Sequence, residues 1–313
     1  MDILTDILAS AGVRKSLLAR HAFHGPWAMR MPCRKSMGFH LITHGEAWVR
    51  SPRFESPVRL ERGDIILINR GFDHEVATDP AMPAPLQEGL VPSEGPAVPG
   101  QEPLAIVVCG VYQFQTEPIH PLFAELPDTI ILRGMNIASH SPLHAAQQLL
   151  AAEVAQTGHG VESVVKALVD VMFHFILRDW MNGEGRDRAS WTRVFRDPHL
   201  HRAIQAMHAN LESDWSLEAL AETAGLSRAA FAQRFKRLAG DTPAHYLARI
   251  RIQRAMDMLR STEENLENIA ERVGYRDPFV FSKAFKRLQG ASPRDYRRSL
   301  RENPLPVFAD VSD

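Results

Sequence analysis

Two segments in the last third of the chain carry the same pattern. The stretch from Leu217, LEALAETAGLSRAAFAQRFKRLAGDTPAHYL, returns from Leu266 as LENIAERVGYRDPFVFSKAFKRLQGASPRDYR, offset by 49 residues up to Gly225 and Gly274 and by 50 beyond them. A duplicated unit of this size must form the same small structure twice, so whatever one copy does the other can do beside it.

Each copy reads as helix, turn, helix. A short helix carries apolar residues at Leu217, Leu220 and Ala221, or at Leu266, Ile269 and Ala270. Gly225 or Gly274 then supplies the positive φ that closes a helix and turns the chain. A second helix opens near Ser227 or Asp277, both good N-cap types, with Pro278 suited to a first helical position. Its apolar stripe is Phe231, Phe235 and Leu238 in one copy and Phe281, Phe285 and Leu288 in the other, spacings of four and three that share one face.

The opposite face is small, polar and basic: Ala229, Ala232, Gln233 and Lys236 in the first copy, Phe279, Ser282, Lys283 and Lys286 in the second, with Arg237 and Arg287 alongside. Small residues let a helix approach base edges, Gln and Lys can hydrogen-bond to them, and the following cations can neutralise phosphates. Two plain helical hairpins with solvated basic faces are the alternative, and two such motifs in register argue against it.

At these residues the chain resembles the AraC/XylS family of transcription regulators over roughly Asp197 to Arg298. The resemblance rests on Ala221-x-x-x-Gly225-x-Ser227-x-x-x-Phe231, on Gly240-x-x-Pro243-x-x-Tyr246, and on the closing GY…F…FKR…G…P…Y run. It implies two recognition helices joined by a long helix, about His245 to Leu259, and placed on one side of promoter DNA. The base-facing candidates it carries over are Ala229, Ala232 and Gln233, then Val280 and Lys283, with Arg228 a weaker one. Lys236, Arg237, Ser282, Lys286 and Arg287 complete the expected DNA-binding set. RNA polymerase is a further implied partner, and activation is favoured over repression by the same analogy.

Charge partition agrees. Residues 197–303 hold 18 Lys and Arg against 14 Asp and Glu, a net of +4, and the rest holds 18 against 23, a net of −5. The basic excess is modest and sits where DNA is expected. At 313 residues, 45% hydrophobic and 23% charged, the chain is long enough for two domains with their own cores. It shows no leader pattern and no run approaching 18 apolar residues, so a cytoplasmic protein is expected, with no membrane partner. The two cysteines, Cys33 and Cys109, form no C-x-x-C and suit a reducing compartment.

Upstream the texture changes. From about Trp27 to Leu132 short apolar runs alternate with turns, FHLITHGEAWVR, GDIILINRG, LAIVVCGVYQF and DTIILRG, which is strand spacing. A proline-rich excursion from Asp79 to Pro103, with Gly89, Gly95 and Gly100, reads as a long loop. The run from Gly63 to His74, GDIILINRGFDH, resembles the second motif of the cupin superfamily, and HGEAWV at His44 to Val49 looks like the turn ending the first. FHLITHG, VVCG, HPLFAELP and Trp27 resemble the cupin-like sensor domain found ahead of one group of AraC-type DNA-binding domains, over approximately Met1 to Met181.

Cupin enzymes bind divalent metal through an H-x-H pair, a Glu and the later His. The H-x-H is missing here. Strand alternation can aim His40 inward with His74 and bring in Cys109 from its own strand, a trio able to take zinc or nickel. Three readings stay open for these residues and Trp27: a metal site, the wall of a pocket for an organic effector, or core residues of a scaffold for dimerisation. No cofactor is otherwise expected.

Ser141-Pro142 caps a helix through about Thr157, Gly158 and Gly160 interrupt it, and a second helix runs from Val161 to Met181. The stripe Val164, Val165, Leu168, Val169, Met172, Phe175 and Ile176 is wide enough to dock on a barrel and to meet a twin, which favours a homodimer over packing within the domain. The segment Asn182 to Ser190 is a hinge. HSPLH at His140 to His144 and the histidines of HLHRAIQAMH are expected on helix surfaces. The chain has no P-loop, G-x-G-x-x-G, G-x-S-x-G or H-E-x-x-H, so a non-enzyme is expected.

The expected architecture is α+β. A cupin-like jelly roll with accessory helices spans 1–181 (barrel about 20–135, helices about 141–181), followed by a linker at 182–196. An all-α domain of two helix-turn-helix motifs covers 197–303, and 304–313 is a tail. The expected function is an effector-responsive, sequence-specific transcription regulator. The alternative is a cupin metalloenzyme with an appended DNA-binding domain.

Overall fold

The computed structural model describes residues 3–10, 13–31, 36–84, 102–114, 120–156, 159–186 and 190–302. Cys33, residues 85–101 of the proline-rich excursion, Gly158, part of the hinge and the tail lie outside them. By contact the chain divides into two compact units, one of Arg14–Gln115 with Leu126–Asn182, the other of Met1–Val13, Thr116–Glu125 and Gly183–Pro306.

In chain order the elements are α1 (Ile3–Ser10), β1 (Val13–Phe23), β2 (Ala28–Met31), β3 (Ser36–Arg50), β4 (Val58–Glu61), β5 (Ile65–Ile68), β6 (His74–Ala77), β7 (Ala105–Phe114), α2 (Pro121–Glu125), β8 (Thr129–Leu132), α3 (Pro142–Glu153) and α4 (Val161–Asn182). The second unit adds α5 (Ser190–Arg196), α6 (Pro198–Ala209), α7 (Leu217–Ala224), α8 (Arg228–Ala239), α9 (Pro243–Ser261), α10 (Leu266–Arg272), α11 (Pro278–Gln289) and α12 (Pro293–Glu302). No helix among the described residues is long and apolar enough to cross a membrane.

The strands form an antiparallel, cupin-like double layer. One layer runs β1-β7-β3-β5-β8, and β3 also pairs with β4 and β6 while β6 pairs with β2. The long β3 serves both layers because its halves face different partners: Gly38–Leu41 pairs with β5, and Glu46–Arg50 with β4 and β6. The change of direction falls at a bulge between Ile42 and His44. Here the expected turn at His44 to Val49 is corrected, since the strand runs on through Gly45. That glycine has φ 66°, and a Cβ there would meet the Leu104 carbonyl oxygen at 1.8 Å, so only glycine permits this approach.

Period-two alternation sorts the side chains. His40 and Ile42 on β3, and Val107, Cys109 and Val111 on β7, lie on the inner face with Phe23, Met29, Met31, Val49, Leu60 and Ile66. Residues of the outer face meet α4, where Phe173 stacks on Tyr112 at 3.9 Å and meets Phe39 edge-on at 5.1 Å. The Tyr112 hydroxyl donates to Asp170 at 2.7 Å.

The helical unit departs from the expected boundaries in two ways. Residues 190–196, expected as linker, form α5, because Trp191 and Val194 offer an apolar pair three residues apart and both are fully buried. Two pieces of the expected sensor, Met1–Val13 and Thr116–Glu125, cluster with this unit. In α1, Leu4, Ile7 and Leu8 are buried, and Glu125 of α2 accepts the Trp191 backbone N–H at 2.9 Å.

Candidate nucleic-acid interface

Each repeat folds as its grammar predicts. Gly225 closes α7 with φ 68°, and Ser227 caps α8 by accepting the Ala230 N–H at 3.3 Å. Gly274 follows α10 with φ 83°, and Asp277 caps α11 by accepting the Phe279 N–H at 2.7 Å, with Pro278 in the first turn. Phe231, Phe235, Phe281 and Phe285 are fully buried, while Leu238 and Leu288 are half-buried. The connecting helix α9 begins two residues before the expected His245 and ends two after Leu259.

An ion pair fixes the first helix-turn-helix unit. Asp197 caps α6 by accepting from the His199 and Leu200 amides and also binds the Arg234 guanidinium of α8, at 2.6 Å to Nε. Burial would raise its pKa, but the amide bonds and Arg234 hold it below the usual carboxylate range. In the second copy Arg251 of α9 donates to the Leu211 and Ser213 carbonyls and lies over the Tyr275 ring.

The outward residues border a shared space. Ala232, Gln233 and Lys236 of α8, and Val280, Lys283 and Arg287 of α11, line one cleft of about 960 Å³ floored by α9. Ala229, Gln233, Lys236, Arg237, Val280, Lys283, Lys286 and Arg287 are exposed, and Ala232 and Ser282 half-buried. Among the described residues no carboxylate lies within ion-pair distance of Lys236, Lys283 or Arg287. Arg228 differs, because Glu218 of α7 holds it at 2.7 Å. Cations without a carboxylate partner among the described residues, lining one cleft from two helices, are the pattern that phosphates satisfy.

The inner residues of the β unit form a chain of contacts. His40 Nδ1 lies 2.9 Å from the Cys109 sulfur, His40 Nε2 lies 2.7 Å from His74 Nε2, and His74 Nδ1 donates to the Phe72 carbonyl at 2.9 Å. With His74 Nδ1 protonated, one set of neutral tautomers satisfies the series: thiol to His40 Nδ1, His40 Nε2–H to His74 Nε2. Burial, then the neighbouring His74 and His21, keeps His40 well below the usual imidazole range, and burial pushes His74 down to about 4.

This arrangement does not fit a resident metal. His40 turns its two nitrogens to different partners, so the donors do not face one centre. Two nitrogens on one tetrahedral zinc would sit roughly 3.3 Å apart, more than the 2.7 Å between His40 and His74. Among the described residues no group of three His, Cys, Asp or Glu is arranged to hold an ion.

Of the expected pocket residues, His74 borders a cavity of about 460 Å³ whose wall includes Arg30, Arg50, Phe54 and Glu75. Trp27 instead stacks on Phe23, 3.4 Å between ring centroids, and its backbone N–H donates to Thr78 Oγ1 at 2.8 Å. His21, outside the candidates named from sequence, is buried in the same unit and pushed down to about 4 by burial. Its place two residues before Phe23 on β1 was the available signal. His208, expected on a helix surface, is corrected: its Nε2 lies 2.7 Å from the Tyr246 hydroxyl, and burial lowers it to about 4.

Comparison with known proteins agrees with both halves. The model of a family described as Cupin matches residues 2–182, and that of a helix-turn-helix domain matches residues 220–299. A protein of Streptomyces lividans named as an AraC-like transcription regulator is 29% identical over 305 residues, covering 95% of this chain and 98% of that one. A Haemophilus influenzae protein named as an HTH-type transcriptional regulator is 29% identical over 308 residues, covering 96% and 99%. Among solved structures, the DNA-binding domain of AdpA in complex with a target DNA is 30% identical, covering 34% of this chain and 96% of that one, with a TM-score of 0.33. With a cupin domain ahead of two capped helix-turn-helix units, the chain belongs to the AraC family of DNA-binding transcription regulators.

Proposed function

We propose that this regulator reads promoter DNA with α8 and α11 together, as an effector-responsive homodimer that mainly activates transcription in the cytoplasm. The observation that carries the reading is the cleft they share, bordered by Gln233, Lys236, Lys283 and Arg287. Gln233 and Lys283 occupy corresponding positions one turn inside each helix, where side chains reach base edges. Lys236, Lys286 and Arg287 follow them and meet phosphates.

Dimerisation draws its support from α4. Val165, Val169, Met172, Phe173 and Ile176 are buried, whereas Val164 and Val171 are exposed and Leu168 and Phe175 half-buried. Val164, Leu168, Val171 and Phe175 are spaced four, three and four, the seam of a helix that meets a second helix. The effector would enter the β unit at the cavity bordered by His74, where Arg30 and Arg50 flank Glu75 at 2.8 and 2.7 Å. It acts on transcription through its difference in affinity between arrangements of the dimer.

The test is a comparison of two DNAs. Gln233→Ala and Lys283→Ala should each lower the preference for a duplex selected by the wild type over random DNA by ~1 to 3 kcal/mol. Lys286→Ala should weaken both DNAs alike and reduce the salt slope by about one counterion. Equal losses on both DNAs from the first two substitutions would end the base-reading assignment.

A further inference from the structure

Phe279 is 83% exposed and Val280 53%. Every other phenylalanine whose side chain is described is buried or half-buried. A single exposed apolar residue is ordinary on a protein surface, but this pair has a particular place. Pro278 starts the helix, and the Asp277 carboxylate accepts the Phe279 N–H at 2.7 Å, so the two side chains stand on the first turn of the second reader. Lys283 is one turn further along.

The repeat shows that the fold does not need them. At the corresponding positions of α8 stand Ala229 and Ala230, both exposed, and that copy closes its own core around Phe231 and Phe235. The tips of the two readers therefore differ in chemistry: small in α8, broad and apolar in α11. Neither Phe nor Val can hydrogen-bond to a base edge. Of the groups that a major groove presents, the one that is apolar is the C5-methyl of thymine.

We infer that Phe279, supported by Val280, packs against the C5-methyl of thymine and makes the second half of the recognition sequence thymine-specific. The inference rests on the reading of α11 as a recognition helix. Deoxyuridine tests it because it pairs as thymine does and lacks only the methyl. A duplex selected from a random pool by the full-length wild type is re-made with each thymine replaced singly by deoxyuridine, and Kd is measured for the wild type, Phe279→Ala and Phe279→Leu. Loss of one buried methyl is worth about fourfold, so the wild type should bind about fourfold more weakly at one or two adjacent positions. Phe279→Ala should bind the thymine and deoxyuridine duplexes equally there, and Phe279→Leu should keep part of the difference. Wild-type indifference to every replacement, a selected duplex without thymine in the α11 half, or an undiminished penalty in Phe279→Ala overturns it. A Lys283→Ala variant separates the two levels: if it loses sequence preference while Phe279→Ala keeps the full penalty, α11 still reads DNA and Phe279 does not. If neither substitution alters preference, the recognition-helix reading itself fails.

Discussion

Truncating Phe285 to Ala would test whether the second helix-turn-helix unit stands on the core described here. The ring is fully buried, 5.8 Å from the ring of Phe281 and 5.6 Å from that of Tyr296. It shares a cluster with Ile252, Met256 and Leu259 of α9 and with Ile269 of α10. Removing it forfeits roughly 2 kcal/mol of apolar transfer. It also leaves a void on the order of 100 Å³, worth about 24 cal/mol per Å³ where neighbours do not collapse. The sum is about 4 kcal/mol, a large share of the roughly 5 to 15 kcal/mol that holds a domain folded. Amide hydrogen exchange on the full chain reads this locally. Protection of α10, α11 and α12 should fall about a thousandfold, since each factor of ten is about 1.4 kcal/mol, while β5 and β7 keep theirs. A loss under tenfold would show that α10, α11 and α12 do not depend on the ring, and would refute the assignment of Phe281 and Phe285 as one supporting stripe.

Two further outcomes are expected. His21, His40 and His74 have folded pKa values below the unfolded value near 6.5, His21 and His74 at about 4, so the unfolded β unit binds more protons than the folded one. Its stability should be complete above about pH 6.5 and decline as pH falls toward 4, and His74→Gln should flatten that decline by about 1.4 kcal/mol per pH unit; urea midpoints at pH 7.5 and 5 that change identically in both proteins would contradict this. On α4, Val171→Asp should weaken self-association at least about tenfold, or ~1.4 kcal/mol, in sedimentation without lowering the melting temperature, and an unchanged sedimentation profile would remove this seam from the interface.

The DNA-reading half was legible in the sequence because its determinants are local. Gly225, Ser227, Asp277 and Pro278 act within one turn of themselves, and the spacing of Phe231, Phe235, Phe281 and Phe285 selects a buried face by helical period alone. Duplication then told which signals belonged to the unit and which varied, as at Ala229 and Phe279. The β half was legible only in outline: the strand runs and the turn before His74 are local patterns, whereas pairing joins residues far apart in sequence. Only the tertiary structure decided that β3 continues past Gly45 and serves both layers, because the approach of the Leu104 carbonyl is a long-range contact. The same holds for His40, His74 and Cys109, which the fold sets in series and not around a common point. It holds also for α1 and α2: Leu4, Ile7 and Leu8 are apolar on any reading, but nothing in their spacing says which core they complete. Periodicity reports that a face will be buried, and the partner that buries it is chosen by the packing of the whole chain.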